Sequence, residues 1–168
     1  MSVSEHKQHS KASITCKVIT ISDTRDQSTD KSGKLMMDFL TTSGHVIKDY
    51  VIVEDNQQAI REAIDLGCKD DEIEAVLTNG GTGMAKRDVT IETVEDMLDK
   101  EMVGFGELFR MLSYTEDIGS AAILSRAIAG VRNKTVLFST PGSTGAVRLA
   151  MEKLIIPELP HVVWELSK

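Results

Sequence analysis

Leu77-Thr78-Asn79-Gly80-Gly81-Thr82-Gly83, followed by Arg87-Asp88-Val89-Thr90, is the stretch whose reading decides the fold. The apolar run Ala75-Val76-Leu77 breaks off at three glycines within four residues, and a helical pattern from Ile91 to Leu98 follows. This order reads as strand, glycine turn, helix. Glycine serves where the backbone needs positive φ or must let a ligand reach its N–H groups, and such groups ahead of a helix make an anion site. A phosphate-bearing ligand fits that turn. The pattern is neither G-x-G-x-x-G nor the G-x-x-x-x-G-K-[ST] phosphate loop, for which Lys86-Arg87 stand in the wrong place, and a GGTG turn can also be an ordinary tight turn. Asp88 has two readings. A carboxylate beside a phosphate pocket repels its guest unless it holds a metal ion, orients a nucleophile or accepts its proton. It can also cap the helix beginning near Val89, although Asp-x-x-Ile lacks the Glu of a capping box.

Outward from this turn, strands and helices alternate. Ile14 to Ser22 is a β-branched strand that stops at Ser22-Asp23-Thr24-Arg25. Asp30 or Ser32 caps an amphipathic helix to about Thr42, Val46 to Val53 is a second strand ending at Glu54-Asp55-Asn56, and Gln57 to Leu66 is a second helix. A further strand, Thr135 to Ser139, leads into Thr140-Pro141-Gly142-Ser143-Thr144-Gly145, with Ser143 or Thr144 capping a helix from about Ala146 to Ile155 that Pro157 ends. Asp99 to Asn133 is the least regular part. It contains a helix entered at Gly104, with Phe105 and Phe109 read as core or subunit contact, and Arg110 and Arg126 as cations for an anion or for the surface.

Such alternation predicts an α/β fold, a three-layer α/β/α sandwich with a mostly parallel sheet. Ligands of these sheets sit at the carboxyl ends of the strands. Here those ends deliver Ser22 and Asp23, Asp55, Gly80 to Gly83, and Pro141 to Thr144 to one edge. Two phosphate-competent turns on one edge suit a ligand with separated phosphates, such as a nucleotide with a phosphorylated partner; chance pairing is the rival account.

A chain of 168 residues suits one domain, read as residues 13–168 behind a loose polar tail, residues 1–12, containing His6 and His9. With 41% apolar and 27% charged residues the composition is that of a soluble globular protein, and a net charge of -7 argues against a nucleic-acid or membrane binder. No apolar run approaches a membrane span and the tail lacks the apolar stretch of a signal peptide, which places the chain in the cytoplasm. Cys16 and Cys68, in no metal-ligand spacing, read as inert thiols.

Taken together, Thr78-Asn79-Gly80-Gly81-Thr82-Gly83, Arg87-Asp88-Val89-Thr90, Gly104-Phe105-Gly106-Glu107, Ser125-Arg126-Ala127 and Pro141-Gly142-Ser143, in that order and spacing, resemble the MoaB/MogA family of molybdenum cofactor biosynthesis, shared with the gephyrin G domain. The resemblance spans residues 14–156 and leans toward the MoaB branch. It implies the three-layer fold, molybdopterin binding and, in active members, Mg-ATP-dependent transfer of AMP to the pterin's terminal phosphate. Mg2+ is then the cofactor, ATP a substrate, and the assembly a homo-oligomer, trimer or hexamer. Asp55 and Asp88 match the family's catalytic and metal-holding carboxylates, the glycine turn matches a substrate-phosphate pocket, and Ser125 falls on a site position. Pro141-Gly142-Ser143-Thr144 departs from the Pro-Gly-Asn-Pro or Pro-Gly-Gln-Pro of MogA-like enzymes, in the turn that would handle nucleotide. A carrier that binds molybdopterin without altering it is the alternative. A nicotinamide or flavin oxidoreductase is disfavoured, since no G-x-G-x-x-G follows the first strand.

Overall fold

The computed structural model describes residues 2–168. In chain order these form α1 (Val3–His9), β1 (Thr15–Ile21), α2 (Lys31–Thr42), β2 (Val46–Val53), α3 (Gln57–Lys69), β3 (Ala75–Asn79), α4 (Thr90–Met97), β4 (Lys100–Glu101), α5 (Val103–Glu116), β5 (Ile128–Arg132), β6 (Thr135–Thr140), α6 (Thr144–Ala150) and α7 (Ile156–Leu166). One sheet runs in the order β2-β1-β3-β6-β5-β4. Its first four strands are parallel, and β5 is antiparallel to both neighbours.

Successive side chains of a strand face opposite ways, so a strand covered on both sides is apolar over most of its length. That is what β1, β3 and β6 are, with Lys17, Thr20 and Asn79 among the buried polar exceptions. Cys16, Val18, Leu77, Val136 and Phe138 meet Met36 and Leu40 of α2, Phe109 of α5, Val147 of α6 and Leu159 of α7. Ile19, Ile21, Val76 and Leu137 meet Ile60 and Ile64 of α3 and Val94 and Met97 of α4. Two cores on the two faces of one sheet make the three-layer α/β/α sandwich expected from the alternation.

Three expectations are corrected. The stretch read as irregular contains β5, a strand of Ile128-Ala129-Gly130-Val131-Arg132 that small residues hide from pattern reading, paired with the two-residue β4. Its hairpin to β6 turns on Asn133-Lys134, with Asn133 at φ 56°, the left-handed region Asn tolerates better than most residues. The last helix does not end at Pro157. A wide π turn over Met151–Ile155 redirects the chain, and Pro157 falls in the first turn of α7, where a missing N–H costs little. The segment read as a loose tail forms α1, capped by Ser2 and paired to α7 through His6 to Glu165 and Lys7 to Glu158. No helix of the described residues is long and apolar enough to cross a membrane.

Both thiols are buried, and desolvation pushes Cys16 up to about 12 and Cys68 up to about 11, in keeping with inert cysteines. His45, at the turn between α2 and β2, is buried too, and its Nδ1 accepts the Ile14 N–H at 3.1 Å, a bond that needs a neutral ring. Burial lowers its pKa from the ordinary 6.5. The unfolded chain therefore binds a proton that the folded one refuses, so stability is intact above about pH 6.5 and is lost as pH falls from there toward the lowered folded value. Between about pH 7.5 and about pH 5.5, the urea midpoint of the native chain should fall further than that of His45→Gln, as followed by circular dichroism.

Candidate functional site

Parallel strands in register bring their carboxyl ends to one edge. β1 opens there into Ser22 to Arg25, β2 into Glu54-Asp55, β3 into the glycine turn and β6 into Pro141-Gly142. At Gly80, φ is +99°, the N–H donates to the Thr140 carbonyl at 3.1 Å, and any Cβ would collide with the Ile21 carbonyl oxygen. Gly81, at φ +67°, is pressed between Thr90 Oγ1 and Asp55 Oδ1. A Cβ on Gly142 would lie only 3.1 Å from the Gly80 Cα, so the two turns touch.

Behind the turns runs a buried polar chain. Asn79 donates to Thr20 Oγ1 at 3.0 Å and accepts from Ser32 at 2.9 Å, while Thr20 donates to Asp30 at 2.6 Å. Asp30 also caps α2 through the Gly33 N–H and accepts from Tyr50. Burial alone would raise the Asp30 pKa; the Thr20 and Tyr50 hydroxyls, the Gly33 N–H and the Arg25 charge outweigh it and hold the carboxyl below its ordinary value. Arg25 closes the chain, donating to Ser32 Oγ at 2.6 Å and from both terminal nitrogens to the Gly142 carbonyl at 3.2 Å.

In front of the turns lies a cavity of about 390 Å³, within the usual range for small-molecule sites. Its wall includes Ser22, Thr24, Arg25, Asp55, Gly80 to Gly83, Arg87, Asp88, Leu124, Pro141 and Gly142. The N–H groups of Gly81, Thr82 and Gly83 meet no protein acceptor among the described residues, which leaves three donors for an anion. Opposite them are acids. Asp23 Oδ1 accepts the Asp55 N–H at 2.9 Å, and Asp55 Oδ1 is a buried oxygen without a hydrogen-bond partner. Burial first, then the charges of Asp23 and Asp88, push the Asp55 carboxyl above its ordinary value against the pull of Arg87. A buried, unpartnered carboxylate oxygen beside two more acids is a fit for a hard divalent cation, which takes oxygen ligands.

The site as read from sequence maps onto this wall in large part. Ser22, Asp55, Gly80 to Gly83, Asp88, Pro141 and Gly142 line it, and Asp23 stands one hydrogen bond behind. Asp88 does not cap α4: the cap residue is Val89, and Asp88 Oδ2 accepts the Ala85 N–H at 3.0 Å instead. Besides Asp23, four residues lie off the wall. Ser143 caps α6, Thr144 begins it, and Ser125 ends the 3-10 turn of Gly119–Leu124. Arg126 spends its donors on the Thr82, Gly83 and Asp88 carbonyls and on Glu92, clamping the glycine loop from outside. Sequence reasoning missed Arg25 and Arg87 as wall residues; their place at the ends of the first strand and the glycine turn was the available signal.

The whole chain has counterparts. A family model described as a "probable molybdopterin binding domain" matches residues 17–161. The chain belongs to the MoaB/MogA family of molybdenum cofactor biosynthesis. It is 62% identical over 168 residues, all of this chain and 99% of the other, to molybdenum cofactor biosynthesis protein B of Bacillus subtilis (strain 168). A crystal structure of a molybdenum cofactor biosynthesis protein B superposes with a TM-score of 0.91 at 57% identity, covering 92% of this chain and 96% of that one. The tungsten cofactor synthesizing protein MoaB of Pyrococcus furiosus follows at 0.79 and 36%, over 94% and 99% of the two chains.

Gly80→Ala should lower the stability by about 1–3 kcal/mol in urea titration, because the new methyl meets backbone at positive φ, whereas Gly104→Ala, where a Cβ meets nothing, should be neutral or slightly stabilising. For Asp55, a raised pKa means that its contribution is favourable at low pH and is lost as pH rises through the folded value. Asp55→Asn should therefore raise the melting temperature of the metal-free protein at neutral pH, the gain fading below about pH 4.

Proposed function

We propose that this rim binds molybdopterin and, with ATP, transfers AMP to the terminal phosphate of the pterin. The observation that carries the reading is the meeting of three free N–H groups of the glycine turn with the unpartnered Asp55 oxygen and Asp88 across one cavity. It is supported by family membership and by relatives whose names place them in molybdenum cofactor biosynthesis. Phosphoryl transfer depends on alignment and charge stabilisation more than on covalent help from the protein. The N–H groups of Gly81, Thr82 and Gly83 would hold the pterin phosphate, and Arg87, in no ion pair among the described residues, would add a positive charge beside it. Asp55 and Asp88 would hold Mg2+, which when bound offsets the charge of the triphosphate. An ionised phosphate oxygen of the pterin forms a bond to the α-phosphorus of ATP while the bond to the bridging oxygen breaks and pyrophosphate leaves. No base is needed, so Asp88 acts by position. Arg25 keeps the Pro141-Gly142 turn against the glycine turn and so fixes the distance between the two phosphate sites.

The reading includes a homo-oligomer in the cytoplasm. The exposed apolar side chains Val103, Leu108, Met111 and Tyr114 on α5, with Ile118, Ile123 and Leu124 beyond it, support association. The test is incubation with molybdopterin and Mg-ATP followed by a search for adenylylated pterin. The native chain should form it, and Asp88→Asn, with an unchanged circular dichroism spectrum, should form it ~100-fold more slowly or worse, the scale of losing a preorganised electrostatic group. An unchanged rate removes Asp88 from the chemistry; pterin binding with no ATP-dependent product makes the chain a carrier.

A further inference from the structure

The chain has four histidines, and three of them, His6, His9 and His161, meet where α1 packs on α7, none of them lining the rim cavity. We propose that this junction is a transition-metal site in which His6, His161 and Glu165 are the ligands and Zn2+ is the cation that their donor set fits best. One donor atom from each residue lies within 4.8 Å of the others. His6 Nδ1 is 2.7 Å from Glu165 Oε1, and His161 Nε2 is 3.7 Å from the same oxygen. Tetrahedral Zn2+ with bonds of about 2.0–2.2 Å holds neighbouring donors roughly 3.3–3.5 Å apart, so the two distances straddle the required one.

The second observation concerns how His161 is held. Its other ring nitrogen, Nδ1, lies 3.0 Å from Glu158 Oε2, so the ring donates there and turns Nε2 toward Glu165. Metal-binding histidines are held in this way by a carboxylate that fixes tautomer and ring orientation. His161 and Glu165 are four residues apart on α7 and so share one face, and His6 comes down on them from α1. An ordinary ion pair of His6 with Glu165 would need neither His161 nor its orientation by Glu158. Two nitrogens and one carboxylate oxygen suit Zn2+ better than Mg2+ or Ca2+, which prefer oxygen alone. A water completes the set. The incoming cation competes with Lys168, whose Nζ is 2.7 Å from Glu165 Oε1.

The site's task is structural. Helix α1 has seven residues, none buried, and a helix that short is marginal without a partner. A bound cation ties the amino-terminal helix to the carboxyl-terminal one. The test uses the full chain stripped with EDTA and titrated with zinc chloride by calorimetry. One Zn2+ should bind per chain. His6→Ala and His161→Ala should each lose that event, Glu158→Gln should weaken it about 10- to 100-fold, and Asp55→Asn with Asp88→Asn should leave it in place. Zn2+ should also slow tryptic cleavage after Lys7 and Lys11 in the native chain but not in His161→Ala. Absence of a Zn2+ event in the folded native chain, or an event that survives both histidine substitutions when Asp55→Asn and Asp88→Asn are also present, overturns the proposal, with His161→Gln as a second variant should His161→Ala fail to fold.

Discussion

The carboxamide of Asn79 is the joint on which the structure depends. It is wholly buried, and its two ends are taken by Thr20 from the neighbouring strand and by Ser32 from α2. A buried polar group left without a partner costs about 1–3 kcal/mol, so these bonds select one arrangement of β1, β3 and α2 over nearby alternatives. In the register observed, Thr20 lies beside Asn79. A slip of one residue would turn Thr20 to the opposite face, toward α3, and leave Asn79 and Asp30 facing apolar side chains. Register in this sheet is therefore set by polar satisfaction at the carboxyl ends as well as by the apolar cores.

The glycine turn follows from that register. With Asn79 fixed, the next residue must pass the end of β1, where the Ile21 carbonyl leaves no room for a Cβ, and must donate its N–H across to β6. Arg25 carries the same constraint to the fourth strand end, because it bonds both Ser32 of the buried chain and the Gly142 carbonyl. Interior order thus becomes site geometry: the two turns touch because one continuous set of hydrogen bonds runs beneath both. The rim above holds Asp55 in an unfavourable state at neutral pH, a local cost that the well-satisfied layer below and the two apolar cores offset.

The parts legible in the sequence are those where physics is local. Strand ends announced themselves through glycines and β-branched runs, and the α2 cap, narrowed to Asp30 or Ser32, and the limits of β2 followed from short-range rules. Asp55 and the glycine turn could be placed together because parallel strands send their ends to one edge. What escaped depends on distant partners. Ala129 and Gly130 are strand residues only because β6 and β4 pair with them, and Pro157 continues a helical path only because a π turn precedes it. For α1 the partner is α7, on the far side of the sequence. Arg126 shows the same limit at the site: its charge suggested an anion or the surface, yet the Thr82, Gly83 and Asp88 carbonyls and Glu92 take up its donors, a use visible only once the loop has its shape.

The clamp by Arg126 also bears on how an acidic protein could receive phosphates in the proposed reading. The net charge is -7, and three carboxylates stand at the rim, so long-range attraction cannot draw in an anion. In the proposed reading the guest would be held by short-range terms, namely backbone N–H groups, Arg87 and a cation between the acids and the phosphates. Backbone donors work at that range only if they do not move, since a donor displaced by an ångström loses most of its bond. Arg126 supplies that rigidity by bonding the Thr82 and Gly83 carbonyls, while the N–H groups of Gly81, Thr82 and Gly83 keep no protein acceptor among the described residues. Charge at this site is thereby used indirectly: one arginine stiffens a neutral turn, which in the proposed reading would bind the anion.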